Sequence, residues 1–339
     1  MGKILLCGGS GHVGAALAPI LQAQGHQVIT LAFDNSPAIG VLKSLGIVHH
    51  HIDLTRYHGF EQAFEGVDIV INLAAKVSFR DRDRAAVEPV NVTAVKHILM
   101  ACRQFNVKRL VHFSSIDVFS GQPRSAMIHE NSPLITPEFP LAYPRSKRLG
   151  QQLVMDAVAA GLDAIIIYPT SIIGPSDYFL RSSNRILYML ATGRMPVLLN
   201  AGLTVVDVRD VAEFTAKAAL KAPAGASYVL TGPWAHFRDF ADCLQPYTGH
   251  KALPFQIPLP ILQAIAPLTS RISDTLGGNS PLTRTAFHGV SHYKYVSSEK
   301  AQNDFGFSPR PLSETVRDAW QWMSDGGMLE PSWKLDSHV

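Results

Sequence analysis

Cysteine is scarce in this chain. Only Cys7, Cys102 and Cys243 occur in 339 residues, far apart and with no C-x-x-C pair. That argues against a disulfide framework and fits free, mostly buried thiols in a reducing compartment. Charge is sparse too, at 17% of residues, with 30 Lys and Arg against 27 Asp and Glu. The basic residues are scattered, whereas a nucleic-acid surface needs them clustered, so no nucleic-acid partner is expected. No apolar run approaches the ~20 residues of a membrane-spanning helix. The opening "MGKILLCGGSG" carries no secretory signal, and Leu6 stands where N-myristoylation wants Ser or Thr. The expectation is a cytoplasmic protein without an integral membrane segment. Repeats and low-complexity tracts are missing as well.

What is present is apolar material, 47% of the chain, enough for a sizeable core. Its length allows two domains, or one large domain with an addition. Short apolar strands alternate with helical segments through the first half: "KILLCG", "QVITLAF", "VHHHIDL", "VDIVINLAA", "VKRLVHFSS" and "LDAIIIYP" are the strands. Buried strands separated by helices predict an α/β fold with a parallel sheet covered on both faces. Beyond Pro169 prolines become frequent and the alternation irregular. "TVVDVRDVAEFTAKAAL" and "SYVLTG" still read as sheet material. The expected organisation is a dinucleotide-binding domain over 1–170, rejoined around 203–232. A substrate-binding part over 171–330 and a loose tail over 331–339 complete it.

"GGSGHVG" places Gly8, Gly11 and Gly14 three apart, after the first strand and opening a helix. A phosphate must approach backbone N–H groups closely there, and the helix N-terminus favours its charge. The strand–turn–helix context supports a dinucleotide site. Asp34, at the end of the second strand, is the candidate acceptor for the ribose hydroxyls. It would repel a 2′-phosphate. The reading favours NAD and leaves NADP open.

Two Tyr-x-x-x-Lys pairs occur, "YPRSK" at 143–147 and "YTGHK" at 247–251. Apolar residues at helical spacing follow the first, and Pro144 suits a first turn. Tyr143 and Lys147 would then share one helix face. In the second, Gly249 looks like a helix stop, which parts Tyr247 from Lys251. Ser115 ends a strand 28 residues before Tyr143. A phenol near an ammonium can serve as acid and base toward a carbonyl or alcohol oxygen, with a serine to orient that oxygen.

The glycine spacing, the Ser–Tyr–Lys set and the later motifs "YPTSIIGPSD", "VVDVRDVA" and "FSPRPLSETVRDAWQWM" together resemble the extended short-chain dehydrogenases/reductases. The nearest branch is the dihydroflavonol-reductase-like and 3β-hydroxysteroid-dehydrogenase-like one, and the resemblance covers roughly residues 3–323. It implies a Rossmann-like doubly wound parallel sheet with a smaller mixed C-terminal part. It implies catalysis by Ser115, Tyr143 and Lys147. The cofactor contacts it implies are Gly8, Ser10, Gly11, His12, Val13 and Gly14 in the turn, Phe33 and Asp34, then Asp53 and Leu54. Leu73, Ala74, Ala75, Asn91, Ser114, Tyr168, Pro169 and Ser171 complete them, with Tyr143 and Lys147 themselves. Substrate contacts are expected from Val77, Phe79, Ile116 and Thr170. Departures from the family pattern are Phe33 where NADP users carry Arg, Phe119 for Tyr, and Tyr168 for Arg.

The expected activity is interconversion of a secondary alcohol and a ketone on a small, fairly apolar substrate. Two other readings stand: a nucleotide-sugar epimerase or dehydratase, and a redox-sensing regulator. In the former, Arg181, Arg185, Arg209 and Arg284 would meet the diphosphate. A homodimer is compatible with the family. "HHH" at 49–51 lies in a strand, where neighbours point to opposite faces, so no metal site is expected. "RDRDR" at 80–84 reads as a solvated charge run. Residues 254–268 could pack, wall a pocket or touch a membrane.

Overall fold

The protein is described by a computed structural model over residues 2–33, 35–78, 83–180, 183–195, 198–251, 255–258, 260–261, 264 and 293–330. Asp34, Phe79, Arg181, Arg284, most of the 254–268 stretch and the 331–339 tail lie outside the described residues.

Strands β1 (Lys3–Cys7), β2 (Gln27–Ala32), β3 (Val48–His51), β4 (Ile69–Asn72), β5 (Arg109–Phe113) and β6 (Ala164–Pro169) belong to one sheet. It is completed by β10 (Ser227–Leu230). The order is β10-β6-β5-β4-β1-β2-β3, and every pairing is parallel. This is the Rossmann-like doubly wound sheet. Side chains alternate along each strand, and both faces are buried. Leu5, Cys7, Leu31, Val70, Leu110 and Ile166 fill one face, with Ile98 of α4 (Ala94–Gln104) and Val154 of α5 (Ala142–Ala159). Ile4, Leu6, Ile71, Val111 and Ile165 fill the other. They pack on Leu17 and Leu21 of α1 (His12–Ala23) and on Val211 and Phe214 of α7 (Val208–Lys221). Each such aliphatic side chain contributes about 1.5–3 kcal/mol by leaving water.

The chain reverses its direction of sheet growth between β1 and β4, since β2 lies on one side of β1 and β4 on the other. Ligands of such sheets bind in the crevice at the carboxyl ends of the strands at this point. The smaller part carries a mixed sheet, with β9 (Gly202–Asp207) parallel to β7 (Ser171–Ile173) and antiparallel to β11 (Trp234–His236). Its core joins Leu187 and Tyr188 of α6 (Ser183–Ala191) to Phe240 and Leu244 of α8 (Phe237–Thr248). Val316 and Ala319 of α10 (Leu312–Asp325) close it.

One segment departs from the sequence reading. "TVVDVRDVAEFTAKAAL" is strand only to Asp207; from Val208 it is helix. The Asp207 side chain accepts from the Arg209 amide and caps α7. Buried Val208, Val211, Ala212 and Thr215 then recur at helical spacing. Hence β9 belongs to the small sheet, while α7 and β10 rejoin the large one. A helical turn at Arg84–Glu88, here α3, runs through a π-helical turn at Pro89–Thr93 into α4.

Helix α5 lies tightly on that π-helical turn. A Cβ at Gly150 would strike the Asn91 carbonyl oxygen, which is backbone and cannot swing aside. Gly150→Ala should therefore cost about 1–3 kcal/mol through overpacking. Urea unfolding of wild type and variant would check this; equal midpoints would refute the close approach.

Candidate functional site

At the end of β1, Gly8 adopts φ +82°, and a Cβ there would collide with Leu73 and Ala74. A Cβ on Gly14 would strike the Gly9 carbonyl, so the glycine lets α1 sit against the turn. Gly11 differs: a Cβ there would meet only the Gly8 oxygen, at 3.3 Å, and its outer side is open. The N-cap residue Gly11 has no side chain to cap α1, and no acidic residue stands in the helix's first turn. The partial positive charge of this helix end thus faces an open, glycine-lined cradle, which fits a phosphate-bearing cofactor. Ser10 is buried in the turn. Val13, in the first turn of α1, packs half-buried against the core. The His12 ring donates from Nε2 to the Pro175 carbonyl at 2.9 Å, tying the turn to the segment after β7.

Along the neighbouring strand ends, the exposed Phe33 ring lies 5.2 Å from that of His51. Asp53 Oδ1 accepts from the Thr55 amide at 2.9 Å and hydroxyl at 2.6 Å. Desolvation raises its pKa, but those hydrogen bonds and Arg56 outweigh it and hold the carboxyl below its usual range. Leu54 is buried, with its carbonyl bonded to His97. After β4, the Leu73 amide donates to Cys7 and the Ala74 amide to the Asn72 side chain. The loop then runs exposed through Ala75 to Val77. Asn91 grips it: Oδ1 accepts from the Lys76 amide, and Nδ2 donates to the Lys76 carbonyl and to Ser146 Oγ. That side chain is spent on structure.

The Ser, Tyr and Lys converge where β5 ends and α5 begins. Lys147 is 3% exposed, and its Nζ donates to the Phe113 carbonyl at 2.7 Å. One helical turn earlier, the Tyr143 phenol faces Ser115, whose hydroxyl favours its ionised form. Ser115 Oγ in turn donates to Asp117 Oδ2 at 3.1 Å and accepts from the Asp117 amide at 3.2 Å. Ser114 faces away, with its hydroxyl donating to Gln151 Oε1 at 2.6 Å within the packing of α5 on the sheet.

Low polarity shifts every titratable group here. Burial brings the Lys147 ammonium down to about 8. Burial, and then the Asp117 charge, raise the Tyr143 phenol above its ordinary value against the opposing effect of the Ser115 hydroxyl. Burial raises the Asp117 carboxyl to about 6, again against Ser115. Behind Lys147, His112 is fully enclosed, and burial and then the ammonium hold it neutral. Its Nε2 has no hydrogen-bond partner among the described residues.

The other expected positions differ in burial. Tyr168 is buried with its ring 4.9 Å from Phe119. Thr170 is buried and bonds to the Leu230 carbonyl through its amide and hydroxyl. Ile116 is buried and Pro169 closes β6, while Ser171 is half-buried and Val77 exposed. In the second Tyr-x-x-x-Lys copy, α8 stops at Gly249 with φ +68°, and Tyr247 stacks on Trp320. The sequence reading did not single out Asp117 or Tyr293. Asp117 stands two residues past Ser115, a spacing that signals a side-chain cap. Tyr293 is 150 residues from Tyr143, and nothing local announces it. It is buried, its hydroxyl donates to the Phe119 carbonyl at 3.3 Å, and burial, Asp117 and Tyr143 raise its pKa.

The profile of the NAD dependent epimerase/dehydratase family matches residues 4–230. Sterol demethylase protein B of Methylococcus capsulatus is 28% identical over 328 residues, covering 96% of this chain and 99% of that one. A 4-hydroxy-2-methyl-3-oxo-4-farnesyl-3,4-dihydroquinoline-1-oxide ketoreductase of Stigmatella aurantiaca is 26% identical, with 96% and 97% covered. Among solved structures, gox2253 superposes with a TM-score of 0.84 at 24% identity, over 97% of this chain and all of that one. The UDP-glucose 4-epimerase of Thermus thermophilus, solved with NAD, gives 0.76 at 20%, over 95% and 99%. The likeness of these structures is one of fold. The chain belongs to the NAD dependent epimerase/dehydratase family and is an NAD-dependent enzyme of the extended short-chain dehydrogenase/reductase type.

Proposed function

We propose that the enzyme interconverts a secondary alcohol and a ketone on a small, fairly apolar substrate, with Tyr143 as acid and base. One observation carries the reading. The Tyr143 phenol, Ser115 Oγ and Lys147 Nζ gather at one strand end beside the open glycine cradle. The names of a sterol demethylase protein and a quinoline-oxide ketoreductase among full-length relatives support an apolar substrate. The epimerase reading needs arginines for a substrate diphosphate. Arg209, one of its candidates, is already engaged by Asp207 and Asp318.

NAD, when bound, supplies or accepts the hydride. The residues that would hold it are the Gly8–Gly14 turn for the phosphates and Asp53 and Leu54 toward the base. The Leu73–Ala75 loop and Lys147 would lie toward the ribose and nicotinamide. Residues 171–330 would supply most of the substrate's surroundings. Tyr143 gives its proton to the substrate oxygen in reduction and takes one in oxidation. Ser115 orients that oxygen, and the Lys147 ammonium favours the phenolate.

Turnover of a 3β-hydroxysteroid, a flavanonol, a 3-hydroxyalkanoate and UDP-glucose with NAD would test this. NADH should accumulate with an apolar secondary alcohol. Tyr143→Phe should lose about 10²–10⁴-fold in kcat while still binding NADH. Epimerisation of UDP-glucose without net NADH, or an undiminished variant, would sink the assignment.

The buried ammonium also sets a pH signature in stability. Lys147 falls from 10.5 to about 8, so its charged form is less favourable in the folded chain than in the unfolded one. The penalty is full below about pH 8 and is relieved as pH rises toward 10.5. Lys147→Met removes it. Relative to wild type, the stability of the variant should therefore decline by roughly 3 kcal/mol between neutral pH and pH 10.5. Denaturant titrations at both pH values would show it; a pH-independent difference would contradict it.

A further inference from the structure

We propose that Asp117 stores the proton that the reaction takes up or releases, passing it to and from Tyr143 through the Ser115 hydroxyl. The inference rests on the roles given above to Ser115 and Tyr143. Ser115 Oγ donates to Asp117 Oδ2 at 3.1 Å and stands near enough to the Tyr143 phenol to favour its ionised form. Asp117 is half-buried as a residue, so solvent reaches its turn, while the carboxyl itself is desolvated. Among the described residues no cation pairs with it. The groups that face it are Ser115 from its own turn, Tyr143 from α5, and Tyr293 from the segment before the helix at Glu299–Phe305. Lys147 points instead at the Phe113 carbonyl. A purely structural carboxylate would gain from a cation, whereas here one sits against two phenols.

The proton count closes on these residues. In ketone reduction the Tyr143 O–H bond breaks and its proton goes to the substrate oxygen. The Ser115 proton moves to the phenolate, and the Asp117 carboxyl proton moves to Ser115 Oγ. Tyr143 and Ser115 return to their starting forms, and Asp117 is left a carboxylate. Oxidation runs the same transfers backwards. The carboxyl's buried setting, which lifts it to about 6, lets both forms exist near neutral pH.

The first measurement needs no substrate. In the full chain labelled with ¹³C at the aspartate carboxyls, the resonance missing from Asp117→Asn should titrate with a midpoint near 6. It should shift upward in Ser115→Ala, which lacks the donor. A midpoint in the ordinary carboxylate range, or indifference to Ser115→Ala, would overturn the proposal. The second uses NADH and the ketone of the alcohol oxidised in the panel above. In wild type, kcat/KM for reduction should fall about tenfold per pH unit above about 6. Asp117→Asn should move that limb upward by about one unit or more, and Asp117→Glu, which keeps a carboxyl, should retain a limb near the wild-type one. A folded Asp117→Asn with the wild-type profile would refute the relay. Full activity of Tyr143→Phe would instead defeat the functional reading, leaving the carboxyl titration as a separate result.

Discussion

The hydrogen bond from Lys147 to the Phe113 carbonyl fixes helix α5 to the end of β5, and the rest of the site follows from it. A lysine at 3% exposure is costly, because the ammonium leaves water and finds one carbonyl in return. Its place in the middle of an amphipathic helix leaves it no other direction. Tyr143, one turn earlier on the same face, is thereby brought over Ser115. The close seating of Gly150 on Asn91 sets the depth of the helix, and Asn91 in turn grips the loop after β4.

The sheet explains why these parts meet. All seven strands run parallel, so their carboxyl ends share one edge. Both faces are filled by aliphatic side chains, which leaves that edge as the place for polar groups. The glycine turn of β1, the loop of β4, the serines of β5 and the turn after β6 all open there. The His12 bond to Pro175 links the first of these to the segment after β7.

Burial then does two things at once. It removes water from around Tyr143, Lys147, Asp117 and His112, and it strengthens the field each exerts on the others. Thus burial, with Lys147 adding to it, keeps His112 neutral, and burial, with Asp117 adding to it, opposes ionisation of Tyr143. These couplings arise between elements far apart in sequence.

Much of the architecture was legible because periodicity reports burial directly. The strands of the large sheet, the turn at Gly8–Gly14 and the start of α5 near Tyr143 follow from apolar spacing, glycine and proline. The helix at Val208 was misread because valine and threonine suit strands as well as helices, and the Asp207 cap decided between them. Chain chemistry by itself determined the parallel sheet, the phosphate-sized glycine turn and the face shared by Tyr143 and Lys147, since each depends on neighbours a few residues apart. Tertiary structure alone decided that Ser114 turns inward while Ser115 meets Tyr143, and that Asp117 and Tyr293 join them. Side-chain direction and desolvation are properties of packed surroundings, and no local pattern records them.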